Sequence, residues 1–136
     1  MQVVSFQEAV TKIHAEDPRF EPDSYHFLKE ALDFTMNRVK ESNGGEMRHV
    51  SGPELLIGFR DFALDQFRAM AATILREWGI QRCTHVGEMV FQLINEQVFG
   101  KQDSDSLEDF ADIYTFEEAF VLPFLPEHNA RRPVGY

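Results

Sequence analysis

Apolar residues in this chain recur at spacings of three and four in five separate runs, the period of amphipathic helices. Phe6, Ala9, Val10 and Ile13 form the first. Ser5 and Glu8 precede it with the spacing of a capping box, in which each side chain satisfies the other's backbone N–H. A helix is expected from about 6 to 16, stopped by Asp17-Pro18 because a residue before proline avoids helical geometry. Pro22 opens the second helix, and Asp23 adds charge suited to a helix start. Tyr25, Leu28, Leu32, Thr35, Met36 and Val39 line one side of it, widened by Phe27, Ala31 and Phe34. Asn43-Gly44-Gly45 ends it in a loop.

Ser51 and Glu54 make a second capping box, with Pro53 in the first turn. From Leu55 through Phe59, Phe62, Phe67, Met70, Ile74 and Leu75 to Trp78 the phase never slips, which predicts one long helix over 53–78. Gly79 is its natural C-terminal cap and Ile80 the hydrophobic contact after it. Thr84 is expected to cap the fourth helix, whose stripe runs from Val86 to Val98 and stops at Gly100. Residues 107–113 add a turn or two. Thr115 and Glu118 form a third capping box ahead of Phe116, Ala119 and Phe120, and Pro123 closes that helix. The expected fold is one mostly α domain of about five helices over 1–122, with a small winged-helix-like β-hairpin near 98–110 and an extended tail over 123–136.

A length of 136 residues is about one domain, long enough to bury a core without disulfides or a metal. An apolar fraction of 43% and 13 Phe exclude a wholly disordered chain and point to an aromatic core. The single cysteine, Cys83, rules out an internal disulfide. Residues 1–16 have neither a basic start nor a continuous apolar run, and no stretch approaches the roughly 18 apolar residues of a membrane span. A cytoplasmic protein that does not meet the membrane is expected. The net charge of −10 argues against general nucleic-acid binding, which needs clustered Lys and Arg. The acidity concentrates at 101–120, where seven acids face Lys101 alone, and the sign reverses at Arg131 and Arg132.

Four stretches, HVSGPELLIGFRDFALDQF from His49, MAATILREWGI from Met70, FQLI from Phe91 and LEDFADIYTFEEAF from Leu107, together resemble a family of short bacterial proteins. The likeness covers roughly residues 25–120. The family has no assigned activity, so the resemblance implies no catalytic residues. Its members tend to have Gly-Pro where this chain has Arg68-Ala69, which implies a break in the long helix near 67–69.

No catalytic, cofactor-binding or metal-binding residue is expected. The five histidines form no HExxH or HxxxH pair, and His26 with Glu30 is the kind of i,i+4 pair common on solvated helix faces. The segment from Asp103 starts like a calcium loop but lacks the glycine at position six and has Tyr114 at position twelve. No nucleophile elbow or phosphate-binding glycine loop is present in the sequence. Arg60, flanked by Phe59, is expected to bind a carboxylate from another segment, Asp109 or Asp112, and so hold the C-terminal third in place. Residues 70–100 have the helix-turn-helix order of a winged-helix domain, but THVGEMVFQLINEQ carries two Glu and no Arg or Lys and would repel DNA. In the tail, Phe124 and Leu125 are expected to anchor a docking arm whose Arg131 and Arg132 meet acids on a neighbouring copy or a partner. The expected function is therefore a non-enzymatic protein-interaction or adaptor module with a protein partner or a homo-oligomer. The alternatives are a winged-helix-like regulator, and a small-molecule-binding protein if His49, Arg60 and acids converge on a pocket.

Overall fold

The structure, a computed structural model, describes residues 5–100 and 106–126 and is mostly helical. The helices are α1 (Phe6–Glu16), α2 (Pro22–Ser42), α3 (Gly52–Phe67), α4 (Ala71–Glu77), α5 (Cys83–Asn95) and α6 (Phe116–Phe120). Short 3-10 turns lie at Arg68–Met70, Leu107–Phe110 and Leu122–Phe124. The three expected capping boxes are in place. The N–H of Glu8, Glu54 and Glu118 donates to the Ser5, Ser51 and Thr115 hydroxyls at 3.1, 3.2 and 3.1 Å, and each glutamate accepts the cap's own N–H in return.

The stripe over 53–78 is not one helix. It breaks after Phe67 at Arg68, whose φ of 53° and ψ of −130° no helix contains. A straight helix of that length would run about 39 Å. The break turns α4 back instead, so that Phe67 and Trp78 both reach Phe27 of α2. The Phe27 ring lies 5.5 Å from Phe59, 5.2 Å from Phe62, 5.1 Å from Phe67 and 5.4 Å from Trp78. Phe59 and Leu75 are fully buried, whereas Phe62, Phe67, Ile74 and Trp78 are half-buried. Met70, read as part of the stripe, is 56% exposed because it sits on the turn itself.

Gly79 caps α4 as expected. Its φ is +94°, and Ile80 N–H donates back to the Leu75 carbonyl at 2.9 Å while Gly79 N–H reaches Arg76 O at 3.0 Å. This Schellman arrangement puts Ile80 in the core. A side chain at Gly79 would also collide with the Arg19 carbonyl. Two expected boundaries move. Thr84 does not cap α5, which starts at Cys83 after Arg82 with no side-chain cap. The helix ends at Asn95 rather than Gly100, in a turn with Gln97 at φ +64°.

The described residues contain no strand. Where the hairpin was expected, Val98 N–H folds back onto Leu93 O at 3.1 Å and 107–110 is a 3-10 turn, while 101–105 lie outside the described residues. Phe110 of that turn packs against Gly87 of α5, where a Cβ would not fit. Most of the buried apolar residues form one contiguous cluster with members from all six helices. At the C-terminal end, Pro123 does not begin an extended tail. It sits in the first positions of the Leu122–Phe124 turn, where its missing N–H costs nothing. The rest of the expected tail, 127–136 with Arg131 and Arg132, lies outside the described residues.

Candidate interaction surface

Arg60 does not pair with Asp109 or Asp112. Its Nε and Nη2 reach the adjacent Asp61 Oδ1 at 3.0 and 2.9 Å. Asp61 Oδ2 accepts Arg38 Nη1 at 2.8 Å, so the carboxylate joins α3 to α2. The Asp109 carboxylate accepts the Ser106 N–H at 3.0 Å and holds its own turn, and Asp112 is exposed. Arg60 still meets the C-terminal third through Tyr114, with the guanidinium 5.8 Å from the ring centre. Tyr114 ties that segment down: its hydroxyl donates to Leu56 O at 2.6 Å and its carbonyl accepts from Cys83 Sγ at 3.3 Å. Burial pushes the Tyr114 hydroxyl far above its ordinary range and the Cys83 thiol upwards. In the sequence, Tyr114 could not be told from any other apolar position.

A second polar network was not foreseen. The Asp17 carboxylate accepts Arg19 Nε and Nη2, both at 2.9 Å, and Gln92 Nε2 at 2.8 Å. Arg19 Nη2 also reaches Glu88 at 3.1 Å, and the Tyr25 hydroxyl donates to Gln92 Oε1 at 2.6 Å. The Arg19 guanidinium holds the Asp17 carboxyl below its usual range, and burial raises Tyr25. The network binds the loop between α1 and α2 onto α5, and its residues line neither the cleft beside α2 nor the groove between α4 and α6. Among the described residues no group of His, Cys, Asp or Glu is arranged to hold a metal ion.

A cleft of 250 Å³ opens between α2, the start of α3 and α5. Its walls are apolar, chiefly Leu32, Met36, Leu55, Ile94 and Phe110, with Arg48 and His49 among its polar lining. Arg48 is already paired: it donates to both Glu54 carboxylate oxygens at 3.0 and 2.6 Å and holds that carboxyl at about 2. Arg60 does not line the cleft, so the convergence of His49, Arg60 and acids that would mark a ligand pocket is not formed.

The described chain ends on an apolar patch. Leu122, Phe124 and Leu125 are 38, 39 and 37% exposed. Beside them a groove of 290 Å³ lies between α4 and α6, floored by Ala72, Ile80, Phe116 and Val121, with Arg76 and Glu117 also lining it. Glu108, Asp112, Glu117 and Glu118 are exposed nearby in sequence, and 106–126 contains no Lys or Arg. Comparison with protein-family models, with curated proteins and with solved structures finds no match to this chain. No helix among the described residues is long and apolar enough to cross a membrane.

Proposed function

We propose that the chain is a protein-interaction module of the bacterial cytoplasm, not an enzyme, carried on one helical domain over 1–122, and that its contact surface is the C-terminal face. The observation that carries this reading is the exposure of Leu122, Phe124 and Leu125 on one short stretch beside an apolar groove. Three large apolar side chains in four residues, at the end of an acidic stretch of chain, have the make-up of a contact patch. The side chains that could do chemistry serve the fold instead. Cys83 is buried, His85 Nδ1 accepts the Gln81 N–H at 3.0 Å, and both Tyr25 and Tyr114 donate internally. The family resemblance belongs to the same reading. It implies the break after Phe67 that the apolar phase does not, and that agreement supports it.

The test is comparative capture from the native cell with the wild-type chain and a Leu122→Ser, Phe124→Ser, Leu125→Ser variant. The variant is expected to melt as the wild type does and to lose the wild type's specific partners. Recovery of the same partners by both would contradict the reading. The apolar cleft favours the small-molecule alternative, since it has the lining of a binding pocket. The regulator alternative has less support, because α5 carries no Lys or Arg on which DNA could dock.

A further inference from the structure

The inference rests on the interaction-module reading and names its partner. We propose that the C-terminal face is self-complementary, and that the partner is a second copy whose residues 127–136 lie along the groove between α4 and α6. Charge complementarity is the first argument. The described residues of the C-terminal third, 106–126, carry Glu108, Asp109, Asp112, Glu117 and Glu118 and no basic residue. The ten residues that follow carry Arg131 and Arg132 with one acid, Glu127. Glu117 lines the groove itself, whereas Arg76, also in its lining, would turn the arm's arginines towards the acids.

The second argument is where the described chain ends. Pro126 lies five residues after Val121, which lines the groove. Ten extended residues span up to about 35 Å, so the arm is long enough to cross a neighbouring face of this size. Across a two-fold axis on that face the two copies exchange arms, so that each contact forms twice. Val134 and Tyr136 then supply apolar groups for the floor of Ala72, Ile80, Phe116 and Val121. Leu122, Phe124 and Leu125 of the two copies cover each other near the axis.

Sedimentation equilibrium of the full chain, from micromolar to millimolar concentration, tests this. The wild type is expected to dimerise. Arg131→Glu with Arg132→Glu should raise the dissociation constant about tenfold, as should Glu108→Arg with Glu117→Arg. Mixing the two variants should recover association. These positions are exposed or outside the described residues, so unchanged melting is expected of each variant. A monomer at every concentration overturns the inference, as does a dimer indifferent to both charge reversals. Protection of the groove by the arm without a change of mass would mean docking within one chain and overturns it too. The failures are distinguishable: a monomer whose partners still depend on Leu122, Phe124 and Leu125 leaves the module reading standing and removes only the second copy.

Discussion

Arg68 carries the least comfortable backbone among the described residues. Its φ of 53° and ψ of −130° lie where only glycine sits without strain, and its side chain is exposed. Arg68→Gly is therefore expected to stabilise the fold by about 1 kcal/mol, after the added flexibility of glycine in the unfolded chain is set against the relieved strain. Urea unfolding measures this, and a loss of stability would show the turn to be different. Periodicity did not mark this residue, since arginine is an ordinary helix former and the apolar phase runs through it unbroken; only the family resemblance, with Gly-Pro at this place, implied a break here. Glu54 gives the second residue-scale expectation. Its carboxyl is held at about 2 by Arg48 and the Ser51 N–H, against 4.5 for the free group. A lowered acid adds stability above its unfolded value and loses it as pH falls, here between about 4.5 and 2. The side chain is a third exposed, so the effect is screened to about 1 kcal/mol or less. Glu54→Gln should flatten the unfolding curve in that window, and an unchanged pH profile would show the pair to be idle.

At the scale of elements, the helix starts with a capping box were legible, whereas the start of α5 and two of the stops were not. Ser5, Ser51 and Thr115 announce themselves by the glutamate three residues on, because a capping box is local chemistry. Gly79 was legible for the same reason. Gly79→Ala is expected to cost about 3 kcal/mol, from its φ of +94° and from the collision with Arg19 O. A melting curve within the scatter of the wild type would overturn that account. The break at 67–68 and the early end of α5 were not readable from periodicity. Both depend on how far a helix can run before it leaves the core, which is a tertiary matter. The same limit blurred the stripe's burial. Phe59 faces the core squarely, and Phe62, one turn on, only half so. Phe59→Ala should cost about 3–5 kcal/mol and Phe62→Ala clearly less. Equal losses in chemical denaturation would show that the two rings share one environment.

For the whole molecule, the acidic C-terminal third and its exposed Phe124 and Leu125 could be read in advance, since charge and apolar excess survive without a fold. What held that third in place could not. Arg60 looked like the clamp because a cation beside phenylalanines demands a partner, but Asp61 was close enough to supply one, and Tyr114 does the clamping through a backbone carbonyl. The groove between α4 and α6 was equally hidden, since it exists only because the break after Phe67 turns α4 back.

The most direct test of the interaction face is a photo-cross-linker placed at Phe124 and, separately, at Ile57, in the native cell. The two side chains are 39 and 40% exposed, so they meet solvent and chance collisions alike, but only Phe124 lies on the C-terminal apolar patch. Discrete protein adducts from position 124 and none from position 57 are the predicted result. The same adducts from both positions, or none from 124, would contradict it.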